Sequence, residues 1–429
     1  MYSINIVAYY VDLVLTWLTY YATFIYANFR EFAWVVKCAA ISLTLSIALI
    51  IVCLVRVFFV WLKRRRWSRV EHKLEKRFSE PIHYILSVDA KPNMSRNEVM
   101  EALNLSNSDL NSRTLLKNYR EKLAFARLVY KARIAENAVL GRKGNLHVLL
   151  EIFRVQDFLE EIVNRDKLNM KVEALHMLRA FKVPINPWIS NQLMNAKRVR
   201  VRRLTMYAAV MSNSNADLDY FESQFFDENC CIYDEIQLGY ALSRRRSSKR
   251  KIPNLAHWAY MQKNPGTQCI FVRLMRMFEQ RDYCSELEEF FQHNSDKQLI
   301  EEISRTWGYL HYEEGENLLA EMLLTQPDET KVAIMHAITR IGTGRHLGAL
   351  VDGYTNSGDP SVRLEALRCI YNYGDEGREK FEELETKAQT DVEKSFFEFF
   401  HNPITLKTIP LSDHDAYRPL FGNNLYGVD

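Results

Sequence analysis

Glycine and proline are scarce in this chain, 15 and 11 of 429 residues. So low a content of turn formers argues against long disordered tracts and against an all-β protein, whose short strands need frequent turns. The seven cysteines stand singly apart from the adjacent Cys230 and Cys231, and no C-x-x-C occurs. An odd, scattered set suits a reducing compartment and offers neither a disulfide framework nor a zinc-binding spacing. The short catalytic motifs are missing as well: there is no H-E-x-x-H, no G-x-S-x-G and no G-x-x-x-x-G-K-[ST]. Gly342-Thr343-Gly344 follows a helical stretch rather than a strand, so a turn between helices accounts for it better than a phosphate loop. His311 with Glu313, Glu314 and Glu316 offers metal-ligand types without the i, i+4 spacing of helical metal sites. His336 and His346 read as surface residues, His176 as a packed one, and Cys230–Cys231 as small buried apolar side chains. No acid–base or nucleophile constellation emerges. The expectation is a protein that is not an enzyme and that carries no cofactor or metal.

Charge is absent from one long stretch. No charged residue falls between Lys37 and Arg56, and residues 34–62 are apolar apart from a few polar positions such as Ser42, Thr44 and Ser46. A helix needs roughly 20 mostly apolar residues to cross a ~30 Å hydrocarbon layer. The alternative, a buried helix of a soluble core, is usually shorter and amphipathic, whereas here the apolar character goes all round. The stretch therefore reads as a transmembrane helix. Residues 63–77 (KRRRWSRVEHKLEKR) then carry eight Lys/Arg against two Glu. By the positive-inside rule the N-terminus lies outside a cell (inner) membrane and residues 67–429 lie in the cytoplasm. Arg56, about 10 Å before Lys63 along the helix, can snorkel to the same interface. Arg56, Lys63, Arg64, Arg65, Arg66, Trp67 and Arg69 are the candidate membrane-interface residues, set against anionic headgroups. A basic n-region and a small-residue cleavage site are lacking, so the span is expected to remain as an anchor.

Residues 1–33 are apolar and aromatic, with six tyrosines (Tyr2, Tyr9, Tyr10, Tyr20, Tyr21 and Tyr26) and Trp17. Asn5, Asp12, Thr16, Thr19 and Thr23 form a polar stripe at helical spacing. Two structures fit: a helix lying in the outer interface, or a second span packing its threonine stripe on the main helix. The interfacial helix fits better, because Asp12 inside the bilayer is costly.

Formal charge is divided unevenly. Residues 284–400 hold 24 Asp/Glu against 11 Lys/Arg, a net of −13, while residues 1–283 carry +17. A basic half beside the anchor suits an anionic leaflet, although a solvated face of one sign would look the same.

Beyond the anchor the pattern is helical to residue 400, with no alternating strand. The anchor helix is expected to run on through Arg69–Phe78 and to stop before Pro81. Ser95 and Glu98 form a capping box. A helix is expected over Arg113–Asn137, with Leu115, Leu116, Tyr119, Leu123, Ala126 and Tyr130 on its apolar side. Gly141 to Asn145 (GRKGN) is the clearest candidate boundary, separating basic juxtamembrane and linker helices (63–140) from a series of helix pairs (141–400). Three of these pairs repeat one pattern: a helix ends in an aromatic or Ile followed by Gly308, Gly342 or Gly374, 34 and 32 residues apart. A second amphipathic helix follows each, over 317–324, 346–354 and 378–384. A period in the thirties with two helices per unit marks an α-solenoid, and glycine at C′ lets the chain turn in the left-handed conformation.

Gly358-Asp359-Pro360-Ser361-Val362-Arg363, with Ala366-Leu367 and the closing Tyr373-Gly374, resembles a HEAT repeat of the bacterial type. In that pattern Asp-Pro precedes the helix, Val-Arg opens it, and Ala and Leu face the core. Gln326-Pro327-Asp328 to Gly342 is similar but weaker; Lys171-Val172 to Phe181 and Arg200-Val201 to Val210 are similar and more degraded. The resemblance implies a curved protein-binding scaffold. Bacterial membrane HEAT proteins of this layout resemble accessory components of surface-polysaccharide systems built around a membrane glycosyltransferase.

Three further stretches are candidates for contact. Residues 243–251 (SRRRSSKRK) hold six basic residues among nine, a loop able to touch headgroups, an acidic partner or nucleic acid through Arg244, Arg245, Arg246, Lys249, Arg250 and Lys251. The second helices of the C-terminal pairs carry Glu316, Glu321, Asp352, Glu379, Glu382, Glu383 and Glu385, an acidic groove for a basic segment of another membrane protein or a merely solvated face. The tail 401–429, with three prolines, holds Tyr417, Leu420, Phe421 and Tyr426, which could dock on the solenoid or a partner. The leading expectation is a membrane-tethered scaffold for a protein partner. A HEAT-like enzyme of lyase type is one alternative. A nucleic-acid binder using 198–203 and 243–251 is another, disfavoured because aromatics for base stacking are missing there.

Overall fold

The computed structural model describes residues 2–29, 33–87, 89–106, 116–135, 143–165, 167–214, 218, 230–405 and 407. Among them every regular element is a helix, so the chain is all-α. It divides into two compact units, one of Met1–Phe78 with Leu116–Phe125, the other of Ser79–Leu115 with Ala126–Asp429.

The first unit holds α1 (Tyr2–Phe29) and most of α2 (Trp34–Leu86). On α1 the hydroxyls of Thr16, Thr19 and Thr23 donate to the carbonyls of Asp12, Leu15 and Thr19 at 2.8, 2.9 and 2.9 Å. Those hydroxyls are satisfied within their own helix and require no partner helix. α2 has 53 residues, about 80 Å at 1.5 Å per residue. It does not stop before Pro81. Proline removes one i→i−4 hydrogen bond, a defect of about 3 kcal/mol in a helix interior. In the second unit, however, Ile82, Ile85 and Leu86 are buried, each contributing about 1.5–3 kcal/mol. Their burial outweighs the defect and carries the helix on to Leu86.

The second unit continues with α3 (Arg96–Ala102), opened by the expected box: Glu98 N donates to Ser95 Oγ, and Ser95 N donates to Glu98 Oε2. α4 (Tyr119–Ala135) starts in the first unit and ends in the second. It is shorter than expected at its start. Leu116 has φ 52°, outside the right-handed helical range, and residues 107–115 and 136–142 lie outside the described residues. α5 (Lys143–Ile152) takes up Gly144 and Asn145, so the expected break does not extend beyond residue 142. Asn145 is fully buried. Its Nδ2 donates to the carbonyls of Ile85 and Lys91 at 3.0 Å each, and its Oδ1 accepts from Met94 N at 2.8 Å. One amide therefore satisfies a carbonyl in the last turn of α2 and two backbone groups of the irregular chain that follows it, which is why a polar residue sits at a core position.

The chain then runs through α6 (Val155–Arg165), α7 (Leu168–Phe181), α8 (Pro187–Met194), α9 (Val199–Ser212), α10 (Ile232–Ser247), α11 (Leu255–Tyr260) and α12 (Pro265–Met277). After a 3-10 turn come α13 (Glu288–His293), α14 (Lys297–Leu310), α15 (Gly315–Leu323), α16 (Asp328–Ile341), α17 (Leu347–Asn356), α18 (Pro360–Tyr371), α19 (Gly374–Lys387) and α20 (Asp391–His401). Their packing follows two rows. α7, α9, α10, α12, α14, α16 and α18 pack each on the next; beside them α6 packs on α8, and α13 on α15 on α17. Within the first row α9, α12, α14 and α16 are enclosed around most of their girth. α14 buries Leu299, Ile300, Ile303, Trp307 and Leu310, together with Ser304 and Thr306. Those of the second row bury a single stripe, such as Leu319 and Leu323 of α15 or Leu350 and Tyr354 of α17.

The helix expected from Asp359-Pro360 forms as the spacing predicts. Asp359 caps α18 by accepting from Ser361 N at 2.7 Å, and Val362, Ala366 and Leu367 are buried. The three repeat glycines do not share one role. Gly342 and Gly374 have φ of 65° and 79°, the left-handed turn expected of them. Gly308 lies inside α14, where a Cβ would stand 2.8 Å from the Ala337 Cα of α16. It permits two neighbouring helices to approach, and the left-handed residue ending α14 is His311, φ 51°.

Gly308→Ala is therefore expected to destabilise by about 1–3 kcal/mol through overpacking. Gly348→Ala, with no atom within 4 Å of its added Cβ, should be neutral or stabilise by up to about 1 kcal/mol. Leu367→Ala, at a fully buried position, should cost about 2–5 kcal/mol. Chemical denaturation of the three variants against the parent checks all of these.

Candidate functional site

The apolar segment of α2 is exposed along its length: every described side chain from Ile41 to Trp61 faces outward. Among the described residues this is the helix long and apolar enough to cross a membrane. The charges that follow are equally uncovered. Arg56, Lys63, Arg64, Arg65, Arg66 and Arg69 are exposed, and Trp67 is half-buried. The Arg65 guanidinium lies 5.2 Å from the ring of Trp61, a cation–π pair one turn apart. No described residue forms an ion pair or hydrogen bond with the side chains of Lys63, Arg64, Arg66 or Arg69. This collar is a band of uncompensated positive charge directly after an uncompensated apolar surface.

The basic stretch 243–251 is not the exposed loop that its composition suggests. Its first half is the last turn of α10. Arg245 is completely buried, and its guanidinium donates to the carbonyls of Lys251, Val210 and Asn213 at 2.6, 3.0 and 2.8 Å. Arg250 donates to the carbonyls of Ser212 and Asn213. Two cations thus occupy the orphan carbonyls at the C-terminus of α9, where positive charge also complements the helix dipole. Burial pushes the Arg245 pKa down to about 10, with Arg250 adding to the shift, so it remains charged at neutral pH. Arg244 is half-buried; Arg246, Lys249 and Lys251 are exposed.

The acidic second helices likewise divide. Glu316 is buried, accepting from the hydroxyls of Tyr373 and Thr343, and it is not part of an exposed face. Glu383 lies between Lys380 and Lys387, which pull its carboxyl down to about 2. Glu385 pairs with His401. Exposed carboxylates remain at Glu321, Asp352, Glu379 and Glu382.

Sequence reasoning missed the buried ion pairs. Asp234, at the start of α10, is fully buried; it pairs with Arg203 at 2.9 Å and accepts from the Tyr207 hydroxyl and from Cys231 N. Arg273 forks onto Glu235 at 2.8 and 2.9 Å, and Glu302 meets Arg276 and Arg305. These pairs join α9 to α10, α10 to α12 and α12 to α14. They also use part of the basic run at 198–203: Arg203 is paired and Arg202 donates to the Ala196 carbonyl, while Arg198 and Arg200 are exposed. Of the histidines, His336 pairs with Glu365 and His346 with Asn317, and His176 is half-buried. Cys230 is half-buried and Cys231 exposed, not the buried pair expected. Among the described residues no group of three or more His, Cys, Asp or Glu side chains is placed to hold a metal ion. The tail with Tyr417, Leu420, Phe421 and Tyr426 lies outside the described residues.

Arg245→Met is expected to destabilise by about 3 kcal/mol, because it strands buried carbonyls. Arg246→Met, one residue along and exposed, should stay within about 0.5 kcal/mol. Thermal melts of the pair read the difference, and equal effects would return the whole stretch to the surface.

No protein-family model matches this chain, and no curated protein matches it.

Proposed function

We propose that the chain is a membrane-tethered scaffold: α2 anchors it, and the helices that follow form a HEAT-type α-solenoid that binds a protein partner at the cytoplasmic face. The observation that carries this reading is the succession on one helix of an exposed apolar segment and an unpaired basic collar. In water such a surface would be left uncovered, whereas a bilayer covers the first part and its anionic headgroups meet the second. The same charges orient the chain, with the N-terminus outside and residues 67–429 inside. The two-row packing of α6 to α18 supports the solenoid, because each helix pair buries its apolar surface against its neighbours. The exposed carboxylates Glu321, Asp352, Glu379 and Glu382 are the partner face. They suit a basic cytoplasmic segment of another membrane protein, and sharing one membrane would raise the effective concentration of both. A surface-polysaccharide system built around a membrane glycosyltransferase is the setting that the architecture resembles.

Cysteine labelling of intact cells tests the orientation. A cysteine at position 2 should react with an impermeant maleimide, and one at position 425 should react only after permeabilisation; reaction at 425 in intact cells would refute the topology. Replacing Lys63, Arg64, Arg65 and Arg66 with Gln should disturb this orientation while leaving helical content intact, since exposed charges add little to stability. Circular dichroism and the same labelling assay separate the two effects.

A further inference from the structure

A cavity of about 250 Å³ lies within the second unit, lined from α4 by Tyr130 and Arg133, from α7 by His176 and Arg179, and by Lys182 and the Tyr240 ring of α10. Its walls carry charge of one sign. Four arginines are buried among the described residues, and three have clear partners. Arg245 donates to three carbonyls, Arg276 pairs with Glu302, and Arg368 pairs with Glu365. Arg133, 7% exposed, forms neither an ion pair nor a hydrogen bond with any described residue. Among the described residues the Arg179 side chain beside it meets aromatic faces, its guanidinium 5.4 Å from the ring of Tyr240 and 5.7 Å from that of Tyr207.

The like charges act on one another. Burial, and then Arg244, push the Arg133 pKa down; burial, and then Arg179 and Arg200, push His176 down. The carboxylate one turn before His176 on α7 is Glu173, and it is already bound to Arg127 at 2.6 Å. A buried cation without a counter-charge is expensive, and removing a partner from such a group costs far more than an exposed charge does. Among the described residues nothing compensates Arg133, which leaves room for a ligand to supply the charge.

We propose that this cavity binds a small phosphate-bearing anion, gripped by Arg133 and Arg179 with Lys182 and His176 beside them. The guanidinium fork matches both carboxylate and phosphate, and the amount of charge decides between them. Arg133 and Arg179 are both permanent cations, so a dianion neutralises the pair better than a single carboxylate. The cavity is smaller than the ~300–1,000 Å³ of sites for drug-sized ligands. It therefore takes pyrophosphate, inorganic phosphate or the phosphomonoester end of a larger molecule, whether soluble or a lipid headgroup.

Calorimetric titration of the full chain in detergent at fixed ionic strength tests this, with pyrophosphate in one arm and nanodiscs of phosphatidic acid against phosphatidylcholine in the other. Saturable binding is expected in at least one arm. A pyrophosphate response identifies a soluble phosphate ester, and a phosphatidic acid response alone identifies a headgroup. Arg133→Gln and Arg179→Gln should each weaken binding about tenfold or more, while Arg345→Gln, at an exposed position away from the cavity lining, should leave it unchanged. Arg179→Gln keeps the test valid should Arg133→Gln fail to fold by circular dichroism. Absence of saturable binding in both arms, or equal weakening by Arg345→Gln, overturns the proposal.

Discussion

An apolar helix surface has to be covered, and the structure meets that constraint in two ways. From α6 onward the cover is the next helix. Trp307 of α14 is fully buried, 4.8 Å from the Phe291 ring and 5.7 Å from the Tyr312 ring, and Gly308 removes the one side chain that would hold α16 away. For α2 between Ile41 and Trp61 no element among the described residues supplies that cover. From α6 onward the protein satisfies the constraint internally; among the described residues it is left unmet on α1, where Leu13 to Phe24 are exposed, and on α2, where we place the lipid.

Polar groups then decide how the rows are joined. Burying Asp234, Glu235 and Glu302 would be unfavourable were they unpaired, yet each meets an arginine on its own or a neighbouring helix. Each such pair ties one helix of the first row to the next. Asn145 and Asn213 do the same for irregular chain. Asn213 Nδ2 donates to the Ile185 carbonyl and its Oδ1 accepts from Ile185 N, both at 2.8 Å, clasping the segment between α7 and α8. Against this background of paired charges, the collar and the Arg133 cavity stand apart.

Local signals were legible in the sequence, and long-range partners were not. The capping box at Ser95, the Asp359 cap, the buried Val362, Ala366 and Leu367, and the left-handed Gly342 and Gly374 all follow from neighbours a few residues away. Gly308 looked equivalent to those glycines, but its role is set by Ala337, on another helix. Arg245 resembled Arg246 in composition, although carbonyls more than thirty residues away take one inward and leave the other outside. Glu316 was grouped with exposed carboxylates because Tyr373, 57 residues distant, gives no local sign. α2 passed Pro81 for a similar reason: the burial of Ile82 and Ile85 overrode a local stop. Arg133 drew no attention in the sequence, since an arginine near the end of a helix is ordinary until its surroundings are known.

The central claim, that a bilayer covers α2, is tested most directly by alkaline carbonate extraction of membranes from cells producing the full chain. An anchored chain stays with the membrane pellet under alkaline conditions and leaves it only when detergent dissolves the lipid. Release into the carbonate supernatant would contradict the account, because it would mean that the apolar length of α2 is covered by protein.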